Sequence, residues 1–319
     1  MVKEIAKSII KEARNKNAQD VYFIPRNSKY ELYMRVGDER QFIKDYDFEV
    51  ISAVISHFKF LSGMNVGEKR RSQLGSCDYS CDDCTASIRL STVGDYRGYE
   101  SLVIRLLHEN NQELLFWFEN LLELKKKIDN RGLYLFSGPV GSGKTTLMHH
   151  LAMMKFGNQQ VISIEDPVEI KQDAMLQLQI NETIGMDYDA LIKLSLRHRP
   201  DLLIIGEIRD KKTARAVVRA SLTGVTVFST IHAKSIRGVY ERMLELGVNE
   251  DELRVILQGI CYQRLIGGEG IVDFVKKNYQ KHEAIIWNQQ ISQLFSDGKI
   301  NEEQAQTEKI IYTEATENY

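Results

Sequence analysis

The segment Gly138-Pro-Val-Gly-Ser-Gly-Lys-Thr145 constrains this chain more than any other, because it matches the pattern G-x-x-x-x-G-K-[ST] in full. An apolar run suited to a strand, residues 133–137, precedes it, and a helical stretch, residues 146–155, follows it. Glycines in such a turn let backbone N–H groups converge on phosphate oxygens, and the N-terminus of the helix adds its dipole. The order of strand, glycine-rich turn and helix therefore predicts a nucleotide-binding site.

The predicted ATP-binding residues are the loop and the first residue of the helical stretch after it. They are Gly138, Pro139, Val140, Gly141, Ser142, Gly143, Lys144, Thr145 and Thr146. In a site of this kind the lysine reaches the β- and γ-phosphates and the hydroxyl that follows it holds Mg²⁺. We therefore expect Lys144 to bind phosphate and Thr145 to be a ligand of Mg²⁺.

Around this loop, apolar runs suited to strands alternate with helical stretches. The runs are residues 133–137, 161–164, 202–205 and 225–230. Alternation of strands and helices predicts an α/β fold with a doubly wound, mostly parallel sheet. Ligands of such sheets bind beyond the carboxyl ends of the strands, so residues at these ends are candidates for the site.

The first hundred residues have a different pattern, which predicts a small α+β module. Helices are expected over residues 5–15 and 48–61, and strands over residues 21–24, 30–36, 87–91 and 102–106. One more helix with an apolar face is expected over residues 114–127, ahead of the phosphate loop.

Polar residues follow three of the four strands around the loop. They are Glu165, Glu207 and His232. A nucleoside triphosphatase needs a carboxylate to hold Mg²⁺ and a group that orients or deprotonates the attacking water. Glu207 is the expected metal carboxylate, either Glu207 or Glu165 is the expected base, and His232 is expected to sense the γ-phosphate. A single acid at a strand end is more often a solvated charge or a helix cap, but three such ends in one domain favour the catalytic interpretation.

These strand ends resemble the motifs of the type II/type IV secretion (pilus-assembly) ATPases. Glu165-Asp-Pro-Val-Glu169 resembles their aspartate box, Gly206-Glu-Ile-Arg-Asp210 their Walker B segment, and Ser229-Thr-Ile-His-Ala233 their histidine box. Leu196-Arg-His-Arg-Pro-Asp201 is similar to the run that precedes Walker B. In the first half, Ala18-Gln-Asp-Val-Tyr-Phe23 is similar to a strand of that family.

The resemblance covers roughly residues 5–267, and within the family the chain is most similar to the competence ATPases of Gram-positive bacteria. The short chain and the segment Arg89-Leu-Ser-Thr-Val-Gly-Asp-Tyr-Arg-Gly98 support this placement. One departure is Thr223-Gly-Val225, where the family usually has Thr-Gly-His. This difference removes a first histidine but leaves His232 in place.

This resemblance implies Mg²⁺-dependent ATP hydrolysis in an oligomeric ring, expected to be a homo-hexamer. The ring would power assembly of a competence pseudopilus, a type IV pilus-like secretion machine for DNA uptake. The implied partner is a polytopic membrane platform protein. The implied location is the cytoplasm, where the protein would be peripheral on the inner face of the cell membrane through its partners.

The resemblance also implies the domain plan. A smaller α+β N-terminal domain, residues 1–107, is followed by a linker, residues 108–117. A RecA-like P-loop ATPase domain would span residues 118–269, and a polar, helical C-terminal tail residues 270–319.

Three arginines recur every eight residues at the end of the first module, namely Arg89, Arg97 and Arg105. In the resembling family, arginines of this segment point into the nucleotide site between domains or subunits. Arg89 and Arg105 are therefore the preferred catalytic arginines, ahead of Arg97, and Arg209 beside Glu207 is a further candidate. The alternative for each is an exposed cation.

The charge and hydropathy of the chain argue against direct nucleic-acid binding and against a membrane-spanning helix. A formal net charge of −2 provides no global basic field, so direct nucleic-acid binding is not expected. The basic run Lys-Arg-Arg at residues 69–71 is too short to change this expectation, and we predict that it is a solvated loop. No apolar run reaches 18 residues, so no helix is expected to span a bilayer.

Three of the four cysteines, Cys77, Cys81 and Cys84, are spaced C-x₃-C-x₂-C. A zinc site requires four ligands, and the spacing supplies three, with Cys261 far along the chain. We expect thiols in a polar hairpin loop over residues 76–85 rather than a metal site.

Other functions stay open at this point. A retraction or secretion motor of the same superfamily would share these motifs. A nucleic-acid translocase would differ in that DNA stimulates its ATPase activity. A nucleotide-switched scaffold would keep its function in a Glu207→Gln protein, whereas a motor would lose it.

Overall fold

The computed structural model describes residues 2–37, 39–81, 84–107, 114–118 and 121–312. The chain divides into two compact units, residues 1–110 and 111–319. Residues 108–113 of the expected linker lie outside the described residues. Within the described ranges, no helix has both the length and the apolar character that a bilayer-spanning segment requires.

The first unit is a six-stranded antiparallel sheet with two helices. Its elements are α1 (Val2–Asn15), β1 (Asp20–Arg26), β2 (Lys29–Val36), β3 (Glu39–Asp47), α2 (Phe48–Leu61), β4 (Gln73–Cys81), β5 (Cys84–Gly94) and β6 (Glu100–Leu107). The strand order is β3-β2-β1-β6-β5-β4. Apolar residues recur at helical spacing in α1, at Ala6, Ile9, Ile10 and Ala13, and are buried in the core shared with α2 and the sheet.

The expected hairpin loop over residues 76–85 is wrong, because strands continue through most of it. Cys77 pairs with Ile88 and Cys81 with Cys84 in the β4–β5 ladder. Residues 76, 78 and 80 are exposed while Tyr79 is buried, so the polar side chains alternate with inward ones. Such alternation is a strand pattern whose solvent face resembles a loop in composition.

The second unit is a seven-stranded sheet with helices on both faces. Its elements are α3 (Leu121–Lys127), β7 (Leu133–Ser137), α4 (Lys144–Phe156), β8 (Val161–Glu165), β9 (Leu176–Gln179), α5 (Tyr188–Arg197), β10 (Leu202–Glu207), α6 (Lys211–Leu222), β11 (Thr226–Ile231), α7 (Ile236–Glu245), α8 (Glu250–Ile256), β12 (Leu257–Ile266), β13 (Glu269–Val275), α9 (Ile285–Ser296) and α10 (Glu302–Glu308). Short 3₁₀ turns lie at Glu182–Ile184 and Tyr279–Lys281.

The order of this sheet is β13-β12-β7-β11-β10-β8-β9, and every neighbouring pair is parallel except β12 and β13. Alternate residues of β7 enter separate cores: Leu133 and Leu135 face one, and Tyr134 and Phe136 the other. Burial on both faces explains why these strands are continuous apolar runs. The predicted fold class is confirmed: a RecA-like, mostly parallel α/β domain follows a smaller α+β domain.

Only the second half of the expected helix over residues 114–127 is helical. Phe116 forms a parallel β-bridge with Gly270, and the Trp117 indole Nε1 donates a hydrogen bond to the Ile266 carbonyl at 2.7 Å. These contacts hold the segment extended against β12 and β13, and the helix begins at Leu121.

The structure also differs from the expected polar tail after residue 269. Residues 269–275 form β13, which pairs with β12, so the sheet extends into the expected tail. In α9 the side chains of Trp287, Ile291 and Leu294 are buried against the core. Three apolar residues at helical spacing are enough to dock a helix whose overall composition is polar.

Candidate functional site

The phosphate loop connects β7 to α4, as expected, and its glycines adopt backbone conformations that other residues rarely reach. Gly138, Gly141 and Gly143 have φ angles of +146°, +77° and +79°. The loop therefore turns from Ser137 directly into the N-terminus of α4, which begins at Lys144.

Lys144 is buried inside this loop rather than extended into solvent. Its Nζ donates to the carbonyl oxygens of Gly138 at 3.0 Å and Pro139 at 2.8 Å. Burial lowers the pKa of Lys144, and the negative charges of Glu207 and Glu169 oppose that shift. The lysine thus lies within the electrostatic reach of two of the carboxylates that follow the neighbouring strands.

The other predicted nucleotide-binding residues differ in exposure. Val140 is 89% exposed at the tip of the loop, whereas Ser142 is buried at its base. Thr145 and Thr146 are half-buried in the first turn of α4. A threonine hydroxyl and a glutamate carboxylate are oxygen ligands of the kind that Mg²⁺ uses together with phosphate oxygens and waters, so Thr145 and Glu207 stay the predicted metal ligands.

The ends of β10 and β11 bring three predicted catalytic residues together. His232 Nε2 lies 3.1 Å from Glu207 Oε1, and Arg209 Nε donates to Glu207 Oε2 at 2.7 Å. Arg209 Nη1 is also 3.8 Å from Asp166 Oδ2, after β8. The hydrogen bond to Glu207 raises the pKa of Arg209. Both oxygens of Glu207 are therefore held by side chains that follow parallel strands.

Hydrogen bonds from side-chain hydroxyls fix these strand ends beside the loop. Ser137 Oγ accepts from the Ala233 N–H at 3.1 Å and donates to the Ala233 carbonyl at 3.3 Å, which joins the end of β11 to the start of the loop. Thr230 Oγ1 donates to the Gly206 carbonyl at 2.7 Å. The segment that carries His232 is thus hydrogen-bonded to the end of β7 on one side and to the end of β10 on the other.

Glu165 has a different set of partners. Its carboxylate is buried, and its Oε1 accepts from Ser163 Oγ at 2.6 Å and from Gln177 Nε2 at 3.1 Å. Its Oε2 lies 3.9 Å from Nε2 of the buried His149 on α4, and burial lowers the pKa of His149. Sequence reasoning missed Gln177, because the short strand β9 was not predicted. His149 could have been noticed as a histidine on an otherwise apolar helix face.

Two of the three candidate arginines of the first unit lie side by side, and the third lies at a distance along the same hairpin. Arg89 on β5 lies directly opposite Arg105 on β6. The guanidinium of Arg105 donates to Asp20, from Nε to Oδ1 at 2.7 Å and from Nη2 to Oδ2 at 3.4 Å. Arg97 lies at the turn of the same hairpin, where its Nε donates to Asp95 at 2.9 Å.

Cys77 and Cys81 of the cysteine segment lie on β4, and Cys84 is the first residue of β5. Among the described residues, no cluster of three or more His, Cys, Asp or Glu side chains is suited to hold a metal ion. Cys77 is half-buried on β4, and burial raises the pKa of its thiol to about 11. Cys261 lies on β12 in the second unit.

Comparison with known proteins adds sequence relatives to this geometry. The family described as Type II/IV secretion system protein matches residues 1–302. Competence protein ComGA of Streptococcus pneumoniae (strain ATCC BAA-255 / R6) is 71% identical over 313 residues, which cover 98% of this chain and 100% of that protein. Competence protein ComGA of Bacillus subtilis (strain 168) is 36% identical over 83% of this chain and 76% of its own length.

A solved structure matches the fold across both units. The crystal structure of the pilus retraction motor PilT with bound ADP superimposes with a TM-score of 0.73 and covers 95% of this chain and 96% of that one. At 23% sequence identity, this likeness concerns the fold.

Proposed function

This chain belongs to the Type II/IV secretion system protein family, and from that premise we propose that it is a Mg²⁺-dependent ATPase that drives a competence pseudopilus. The observation that carries the proposal is the phosphate loop with Lys144 buried in it and Glu207 within its electrostatic reach. The similarity to two competence proteins supports the proposal that the machine it drives is a competence pseudopilus.

The proposed chemistry divides among residues of neighbouring strand ends. Lys144 binds the β- and γ-phosphates, and the backbone N–H groups of the loop cradle their oxygens. Thr145 and, through water, Glu207 would hold Mg²⁺, which neutralises charge as the γ-phosphoryl group leaves. His232 contacts Glu207 and would report the presence of the γ-phosphate to the end of β11.

The water that attacks the γ-phosphate needs an oriented acceptor. Glu207 and Glu165 are the candidates, and the structure distinguishes their environments. Glu207 is half-buried next to the exposed His232, whereas Glu165 is 3% exposed and already accepts two hydrogen bonds on one oxygen. A base must contact the water it deprotonates, so the accessibility of Glu207 favours it, with Glu165 as a positioning group.

At the level of the assembly, we infer a homo-hexameric ring. Arg89 and Arg105 would complete nucleotide sites across a domain or subunit boundary, where an arginine stabilises transition-state charge. ATP hydrolysis would then move one domain against the other and act on a polytopic membrane platform protein. The ring would work in the cytoplasm, held to the inner face of the membrane through that partner.

Two measurements on the purified chain test this function. ATP turnover should require Mg²⁺ and should disappear when EDTA removes it. The mass of the protein should rise to that of a closed ring with a non-hydrolysable ATP analogue. Turnover that depends strongly on added DNA would favour a nucleic-acid translocase instead, and nucleotide binding with no turnover would favour a switched scaffold.

A further inference from the structure

Buried polar atoms without hydrogen-bond partners are concentrated at the phosphate loop. Of the eight such side-chain atoms in the described part of the chain, five belong to Ser142, His149 and Gln263. Ser142 is in the loop, His149 is on the helix that follows it, and Gln263 is on the neighbouring strand β12. Folded proteins rarely leave such atoms unsatisfied, so a cluster at one site calls for an explanation.

Gln263 has the most direct contact with the loop. Its neighbour Tyr262 pairs with Ser137, the last residue before the loop. A Cβ atom added to Gly138 would lie 2.2 Å from the Gln263 carbonyl oxygen, and one added to Gly143 would lie 2.9 Å from the Gln263 side-chain Nε2. Gln263 therefore approaches both ends of the loop, with its backbone carbonyl at Gly138 and its carboxamide at Gly143.

The carboxamide of Gln263 is sealed from solvent. The residue is 1% exposed, and within the described residues neither its Nε2 nor its Oε1 has a hydrogen-bond partner. This group carries two N–H donors and an acceptor oxygen. If this side chain only packed against the loop, an apolar side chain of the same length would make the protein more stable.

The hydrogen bonds of Lys144 indicate in which state the loop would lack a hydrogen-bond donor that the carboxamide could supply. Its ammonium group has three donors, and two of them go to the Gly138 and Pro139 carbonyls. If the lysine binds one β- and one γ-phosphate oxygen, at most one donor is left for the two carbonyls. At least one of the two loop carbonyls that Lys144 contacts in this structure then loses its donor, unless another group supplies one.

We propose that Gln263 is a positioning residue of the phosphate loop, whose carboxamide hydrogen-bonds the loop when Lys144 turns to phosphate. This inference rests on the proposed binding of ATP and concerns how the loop is held in its nucleotide-bound shape. Gln263 does not touch the reacting atoms in this account. Its unsatisfied atoms reduce the stability of the protein without nucleotide and contribute to nucleotide affinity.

The test is a Gln263→Met protein, which keeps an unbranched side chain of similar length and removes both donors and the acceptor oxygen. The matched control is Gln258→Met, the same change on the same strand beside Gly132, at the opposite end from the loop. Two quantities are measured for each: the melting temperature without nucleotide, and the Kd for a fluorescent ATP analogue in Mg²⁺.

We expect Gln263→Met to melt at or above the wild-type temperature without nucleotide and to bind the ATP analogue about fivefold to tenfold more weakly, the scale of one lost hydrogen bond. Gln258→Met should bind like the wild type. A lower melting temperature of Gln263→Met would indicate a structural role and overturn the inference, as would unchanged affinity. A wild-type protein that fails to bind the analogue would instead refute the proposed function itself.

Discussion

Glu207 Oε1 and His232 Nε2 lie 3.1 Å apart, at the ends of two adjacent parallel strands. Because Arg209 holds the other oxygen of Glu207 at 2.7 Å, the carboxylate is oriented before any substrate contacts it. A preoriented carboxylate beside a phosphate loop is suited to organise Mg²⁺ and the attacking water.

Glu207→Gln should therefore keep ATP bound and slow its hydrolysis by roughly 10²–10⁴-fold, since charge and basicity are lost while shape is retained. Single-turnover kinetics at saturating ATP measure the chemical step directly. Glu245→Gln, which removes an exposed carboxylate from α7, is the matched control and should hydrolyse ATP like the wild type. Equal single-turnover rates for Glu207→Gln and the wild type would rule out the role of Glu207.

Arg89 and Arg105 face each other across β5 and β6, with Asp20 bonded to Arg105. Arg89→Gln removes the charge opposite Arg105 but keeps a polar side chain of similar length, so the change in shape is small. If the pair completes a nucleotide site, turnover should nevertheless fall by about 10³-fold or more. Arg14→Ala, which removes an exposed arginine from the last turn of α1 in the same unit, is the control and should keep most of the turnover. Wild-type turnover in Arg89→Gln and Arg105→Ala would exclude both arginines.

Mixed assemblies distinguish an arginine that acts on its own subunit from one that acts on its neighbour. Neither Arg105→Ala nor Lys144→Ala protein should hydrolyse ATP well alone. If Arg105 acts in trans, mixing the two proteins should restore partial turnover, because some interfaces then contain an intact Lys144 and an intact Arg105. No recovery after verified subunit exchange would show that the arginine does not act across subunits.

Burial of His149 predicts a loss of stability on the acid side. Its pKa is lowered from the usual value near 6.5, so the folded protein holds it neutral where the unfolded chain binds a proton. Because the unfolded state binds more protons, the free energy of unfolding decreases as pH falls below about 6.5. His149→Leu should lose less stability than the wild type between pH 7.5 and pH 5.5, as measured by thermal unfolding.

The neighbouring, half-buried histidine offers the matched control for this experiment. His150→Leu removes one histidine from the same helix and should retain the acid-side loss of stability. Parallel pH curves for His149→Leu and the wild type would mean that His149 is not the group responsible.

The sequence predicts the elements whose periodicity or motif is strong. The helix Phe48–Leu61 agrees residue for residue, and the strand, loop and helix around Lys144 lie where the glycine pattern indicates. The convergence of Glu207 and His232 follows from parallel strands with a common polar edge, which the alternation of strands and helices implies.

What the sequence did not predict depends on tertiary contacts. Strand β12 is adjacent to β7 although more than a hundred residues separate them, so nothing local indicates that Gln263 touches the phosphate loop. The bridge between Phe116 and Gly270 overrides a helical pattern for the same reason. Glu165 was expected at the end of a strand, but no local pattern indicates that Ser163 and Gln177 hold its carboxylate in the interior.

Substitution of Lys144 tests whether ATP is bound and hydrolysed at the phosphate loop. Turnover of Mg·ATP by Lys144→Ala is compared with that of Lys155→Ala, which removes an exposed lysine from the last turn of the same helix. We predict that Lys144→Ala neither binds nor hydrolyses ATP, because the charge that contacts the β- and γ-phosphates is gone, while Lys155→Ala turns over like the wild type. Wild-type turnover by Lys144→Ala would show that this loop is not the site of ATP hydrolysis.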